Sequence, residues 1–327
     1  MTTTFTLDAQ IQGESSSPPL PSAYFYKDNS MHPNRTVNIA LAANLLIAII
    51  KFISGFVTRS TAMLSEGVHS LVDTANQLLL LLGIRLSKKS ADAKRPFGYG
   101  KELYFWSFIV SLLIFAIGGS ISIFQGISHL RHPVPQQDPF WNYIVLACSF
   151  LFDGGSLVVA IIEFKKVKGK KSWWTAVHQS KDPASFLVLF EDSAAVLGLA
   201  VVALMIYLGH KLNNPYLDGV ASLIVGVLLT VVSILLARES RSLLMGEGIA
   251  TATQFKIRSI VENDEAVENV LQIFSTYQSP EEVMLLLLVR FKENLDTHEI
   301  TDAIERIKAA IKIEFPFAHY IIITPGQ

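Results

Sequence analysis

Six apolar runs, at residues 37 to 57, 61 to 86, 104 to 128, 141 to 163, 184 to 209 and 215 to 237, constrain this chain more than any other feature of it. Each approaches or exceeds the ~20 residues that a helix needs to cross a bilayer core of ~30 Å. A lipid core offers backbone amides no water, so each run must satisfy its own hydrogen bonds as a helix. Half of the 327 residues are apolar, 17% are charged and the mean hydropathy is +0.40, values that fit an integral membrane protein. The first run is the weakest, because it carries Asn38, Asn44 and Lys51.

Basic residues alternate between the connections. Lys88, Lys89, Lys94, Arg95 and Lys101 lie between the second and third runs, and Lys165, Lys166, Lys168, Lys170, Lys171 and Lys181 between the fourth and fifth. The other three connections carry essentially one each: Arg59, Arg131 and Lys211. Positive charge collects in cytoplasmic loops, so the even connections and both termini are expected in the cytoplasm. Residues 1–34, rich in Thr, Ser, Pro and Gln without a basic start or an apolar core, read as a disordered cytoplasmic tail and not as a secretory signal. Residues 35–240 read as a six-helix transmembrane domain. Beyond Gly246-Glu247-Gly248 the pattern changes, and residues 241–327 read as a soluble αββαβ domain of ferredoxin-like type. Its elements are expected at Phe255–Glu262, Val267–Tyr277, Glu282–Phe291, Thr297–Phe315 and Tyr320–Thr324, the second helix opening on the capping sequence Asp296-Thr297-His298-Glu299. The single Cys148 excludes a disulfide framework and is expected to pack as a small hydrophobe.

Inside the second run, Ser65-Glu66-Gly67-Val68-His69-Ser70-Leu71-Val72-Asp73 places an imidazole and a carboxylate one helical turn apart on one face. Ionisable groups at membrane depth are costly and mark functional sites, and this pair is half of a tetrahedral divalent-metal site. A hydrogen-bonded pair between helices, or a proton relay, is the alternative. Counting ~1.5 Å per residue from each helix entry puts Asp73, Asp192 and Asp153 at one common depth. Glu191 and Asp192 point about 100° apart on a helix, so one of them is expected to face the site. Asp153 is either a ligand or a partner in tight helix packing beside Gly154 and Gly155. Lys51 is expected to snorkel or to pair with an acid, and Asp218 to open a helix at the outer surface.

These residues resemble the cation diffusion facilitator family. The resemblance rests on Ser65-Glu66-Gly67-x-His69-Ser70-x-x-Asp73, on Arg95-Pro96-Phe97-Gly98-Tyr99-Gly100-Lys101-Glu102, on Asp192, on Asp218-Gly219, and on Leu243-Leu244-Met245-Gly246-Glu247 before the small domain. The family's usual fifth-helix motif has a histidine four residues before its aspartate, where this chain has Val188. Leu189-Phe190-Glu191-Asp192-Ser193 is instead similar to the branch that contains the mitochondrial zinc transporter. A second site before the third helix is expected to be missing, since Arg95 and Tyr99 stand where the family has histidines and Asp92 alone fits. His298 and His319 are expected to be solvated, and dimerisation through the soluble domain is what the resemblance implies.

The expected function is proton-coupled efflux of a divalent cation, most readily zinc, by alternating access, with manganese, iron or cobalt as alternative substrates. The ligands are His69, Asp73 and Asp192, with Glu191 and Asp153 as further candidates, and H+ is the counter-ion. The expected partners are the lipid bilayer and a second copy of the chain, with no nucleic acid, no permanently bound cofactor and no enzymatic activity. No GxxxxGK[ST] loop is present to drive a primary pump. The rival readings are a hydrolase using His69 and Asp73 with Ser65 or Ser70, and a non-transporting metal sensor or scaffold. A plasma (inner) membrane location is expected.

Overall fold

The computed structural model describes residues 33–133, 140–169 and 172–326. The expected tail therefore lies outside the described residues up to residue 32. Helices α1 (Pro33–Thr58) and α2 (Thr61–Ser87) form a hairpin closed by Arg59 in a left-handed conformation and by Ser60, whose hydroxyl accepts from the Met63 amide at 3.2 Å. A long helix follows in three pieces, α3 (Glu102–Leu113), a π segment at Ile114–Gly119 and α4 (Ser120–Arg131). Next come α5 (Phe140–Lys168), the short α6 (Trp173–Gln179), α7 (Pro183–Leu212) and α8 (Tyr216–Met245). The sequence showed no sign of α6 or of the π segment, since neither changes the hydropathy of its run.

Among the described residues four helices are long and apolar enough to cross a membrane: Glu102–Arg131, Phe140–Lys166, Pro183–Leu212 and Tyr216–Met245. Helices α1 and α2 have 26 and 27 residues, enough length, but the polar groups of α2 lower its hydropathy. Those groups point inward: Ser65, Glu66, His69, Ser70, Thr74 and Asn76 are all buried. Outward faces are apolar, with Phe56, Phe124 and Leu151 70%, 72% and 78% exposed. Cys148 shares that exposed surface of α5 and is not packed inside.

Close approach of α4 to α8 depends on glycine. A Cβ on Gly126 would stand 2.8 Å from the Leu223 amide and 2.9 Å from the Gly219 carbonyl, and one on Gly226 would stand 2.7 Å from the Ile123 amide. Gly154 and Gly155 face open space instead, so the tight packing expected beside Asp153 is absent.

The C-terminal region has α9 (Thr251–Glu262), β1 (Val267–Ser279), β2 (Glu282–Phe291), α10 (Thr297–Glu314) and β3 (Ala318–Pro325), the expected αββαβ order. The sheet runs β1-β2-β3, with β1 antiparallel and β3 parallel to β2. Period-two burial along β2 places Val283, Leu285, Leu287 and Val289 in a core with Ile257, Val261, Ile307 and Ile311 from the two helices. Asp296 caps α10 as expected, accepting from the Glu299 amide at 2.8 Å while Glu299 accepts from the Asp296 amide at 2.9 Å.

This domain abuts the two basic connections. Lys181 meets Glu247 at 2.5 Å, the Phe97 and Tyr320 rings meet edge-on at 5.4 Å, and Gly100 lies against the Gln278 carbonyl at the tip of the β1–β2 hairpin. Asp92 serves the turn before α3, accepting from the Tyr99 hydroxyl at 2.6 Å and from the Arg95 and Lys94 amides at 2.8 and 2.9 Å. The Tyr99 hydroxyl and those amides hold its carboxyl below the usual range.

Candidate metal centre

Helix α2 carries a polar stripe, Ser70, Asp73, Asn76 and Gln77, at spacings of three and four residues, so these side chains leave one face together. That face opens on a cavity of 340 Å³ between α1, α2, α5 and α7, whose polar lining includes Ser70, Asp73, Asp153, Ser156, Glu191 and Asp192. Four acids from three helices thus line one cavity, an arrangement that the common depth of Asp73, Asp153 and Asp192 allows.

His69 does not line the cavity but adjoins it through Asp73, its Nδ1 lying 3.4 Å from Asp73 Oδ1. The ring is 2% exposed, and neither its nitrogens nor Asp73 Oδ1 has a hydrogen-bond partner among the described residues. Buried lone pairs without a donor are costly and suit a cation. Glu191, not Asp192, meets Asp73: their carboxyl groups lie within hydrogen-bonding reach, and the Asn76 amide donates to Glu191 Oε1 at 2.6 Å. Asp192 accepts from the Ser156 hydroxyl of α5 at 2.7 Å. Both acids of the pair therefore face the cavity, where one was expected.

Among the described residues no three His, Cys, Asp or Glu side chains converge closely enough to cage an ion. His69, Asp73 and Asp192 share a region without forming one coordination sphere. Lys51 does not snorkel. It lies inside, 3.3 Å from Glu66 and 3.7 Å from Asp153.

Asp218 opens α8 as expected but is 2% exposed, so it is no surface residue. Its carboxylate accepts from Ser60 Oγ at 2.5 Å and from the Thr61 amide and hydroxyl, each at 2.6 Å, and so caps α2 from a distant helix. His129 of α4 completes this cluster, its Nδ1 3.1 Å from Thr61 Oγ1 and its Nε2 3.1 Å from the Pro215 carbonyl. Sequence reasoning missed this cluster, whose members are far apart in the chain. It also missed Asn76 and Ser156, although Asn76 belongs to the readable stripe on α2.

Long helices with apolar outer faces around an acidic cavity define a multi-pass membrane protein equipped to hold small cations. Comparison with known proteins narrows that class: residues 37–245 match the model of the cation efflux transmembrane domain, and the chain belongs to the cation efflux family. It is 35% identical over 266 residues to the "Proton-coupled zinc antiporter SLC30A9, mitochondrial" of Mus musculus, across 81% of this chain and 46% of the relative. It is 34% identical over 270 residues to "Metal tolerance protein C4" of Arabidopsis thaliana, across 82% of this chain and 58% of that one. The "Manganese efflux system protein MneP" of Bacillus subtilis (strain 168) is 26% identical over 243 residues, 72% of this chain and 76% of its own. The chain spans about half the length of the first two relatives. These matches bear out the resemblance to cation diffusion facilitators and to the zinc-transporting branch. They lend no support to a plasma-membrane location, since the mouse relative is named as mitochondrial.

Proposed function

We propose that the chain exports a divalent cation, zinc first, in exchange for protons, by alternating access to the cavity between α2, α5 and α7. The observation that carries this reading is the buried His69–Asp73 pair beside a cavity lined by Asp153, Glu191 and Asp192. Neutral imidazole and ionised carboxylates bind a divalent cation through the atoms that otherwise take up protons, so metal and protons compete. The Asp73 and Glu191 carboxyl groups line one cavity, so a cation arriving there would compete with protons for both. His69, Asp73 and Asp192 supply the ligands, with Glu191 as the candidate fourth. On this reading α5 and α7 close on α2 during the cycle and bring these groups into one coordination sphere.

On this reading α1 and α2 also span the bilayer, giving six spans, and the basic connections with the soluble domain lie on the cytoplasmic side. The soluble domain is of ferredoxin-like type and joins two copies of the chain. The relatives' printed names, a proton-coupled zinc antiporter and a manganese efflux protein, support zinc first and manganese second.

The test is metal uptake into proteoliposomes loaded with a pH-sensitive dye, for zinc, manganese, cobalt and iron(II), with wild type and Asp192→Ala. Metal flux with opposite proton flux, lost in the variant, is the expected result. Absence of flux for every metal in both gradient directions sinks the transport reading in favour of a sensor or scaffold.

A further inference from the structure

Lys51 takes the second of its two expected courses, pairing with acids inside the membrane domain. Its side chain is fully buried, and its ammonium donates to Ser70 Oγ at 2.8 Å while lying 3.3 Å from Glu66 Oε2 and 3.7 Å from Asp153 Oδ2. Burying an ammonium is costly unless opposite charges and hydrogen bonds surround it, and here α2 and α5 supply both. Ser70 and Asp153 also line the cavity. Glu66 does not; it is fully buried, and its Oε1 has no hydrogen-bond partner among the described residues. That oxygen is directed at α7, where a Cβ on Gly198 would come within 3.0 Å of it. Lys51 is thus tethered in the cavity wall, and it occupies an acid that a cation in the cavity would otherwise reach.

Resting on the reading of this cavity as a divalent-cation route, we propose that Lys51 is a selectivity residue: its ammonium withholds Asp153 from the cargo and limits the oxygen donors an ion meets. With Asp153 engaged, the donors left are an imidazole and two or three carboxylates, a small set suited to four-coordinate zinc. Releasing Asp153 adds a hard oxygen ligand and removes a positive charge, and both changes favour manganese, which prefers more oxygen ligands than zinc does. Lys51 acts on the ion through charge and through Asp153, so it is a positioning residue.

The experiment measures Zn2+ and Mn2+ dissociation constants by titration calorimetry on the full-length protein in detergent. It compares wild type, Lys51→Met and Lys51→Met/Asp153→Asn. Lys51→Met is expected to bind Mn2+ about tenfold or more tightly, and Zn2+ more tightly by a smaller factor, so that preference moves toward manganese. Adding Asp153→Asn returns both constants toward wild type. Lys51→Met/Glu66→Gln keeps the buried charges balanced and shows the same shift if the single variant does not fold. Unchanged Mn2+ affinity in a folded variant, or a gain that survives Asp153→Asn, overturns the role of Lys51 and leaves the transport reading standing. A wild type that binds neither ion overturns both.

Discussion

Asp73 carries two contacts at once, His69 within its own helix and Glu191 across to α7. Asn in its place keeps the shape but removes the charge a cation needs. Asp73→Asn is therefore expected to lower metal uptake by about tenfold or more at a fixed proton gradient, read as initial flux per reconstituted protein. Removing the carboxylate of Asp218 tests a different property, because Asp218 lies outside the cavity lining and ties Ser60 and Thr61 to α8. Hydrogen bonds to a charged group contribute about 1.5 to 3 kcal/mol in net terms, bonds that share one carboxylate do not add in full, and a buried donor left unpaired adds its own cost. Asp218→Ala is thus expected to destabilise the membrane domain by about 3 kcal/mol, measured as an earlier thermal unfolding transition in detergent. A transition at the wild-type temperature would mean that water replaces the carboxylate at α2 and that the cap is dispensable.

Helices in lipid gain little from hydrophobic attraction to each other, so close backbone approach has to hold them together. The α4–α8 crossing shows this, with Gly126 and Gly226 placed where a side chain would collide and Gly219 where one would be tight. Gly126→Val is expected to separate these helices and to reduce the yield of folded, monodisperse protein severalfold in size-exclusion chromatography. Gly154→Ala is expected to leave the yield unchanged, because a methyl there meets nothing within 4 Å. The contrast explains what the sequence disclosed at this scale. Apolar run length located every long helix, and the alternation of Val283, Leu285, Leu287 and Val289 located β2, because both signals are periodic along the chain. The Gly154-Gly155 pair looked like a packing motif and is not one, since a glycine pair does not say which face it presents. Likewise one-turn spacing made His69 and Asp73 visible and depth counting added Asp153 and Asp192, but the choice of Glu191 as the neighbour of Asp73 follows from the rotation of α7, which leaves no trace in spacing.

At the scale of the whole molecule, the C-terminal domain meets the helical domain through its hairpin tip and the Lys181–Glu247 pair. A partly exposed ion pair contributes about 0.2 to 1 kcal/mol, so Lys181→Glu should loosen the junction without unfolding either side. Faster hydrogen exchange around residues 277–283 is the expected sign, reversed when Glu247→Lys is added. The domain itself is tied by Arg306 of α10, which donates through Nε and one terminal nitrogen to both oxygens of Asp264 at 3.1 and 2.9 Å. Burial pushes the Asp264 carboxyl up, but the hydrogen bonds from Arg306 and the Ala266 amide, with the guanidinium charge, outweigh it and hold the carboxyl below its ordinary value. A carboxyl depressed in the fold contributes stability that is present above the unfolded pKa of ~3.9 and is lost as pH falls through the folded value. Acidification below about pH 4 should therefore release α10 from the turn before β1, seen as lower protection factors for α10 amides in the full-length protein. Asp264→Asn has no proton to gain there, so its α10 should already exchange faster at neutral pH and change less on acidification. Equal pH profiles for the variant and wild type would show that other carboxyl groups govern the acid response of this domain.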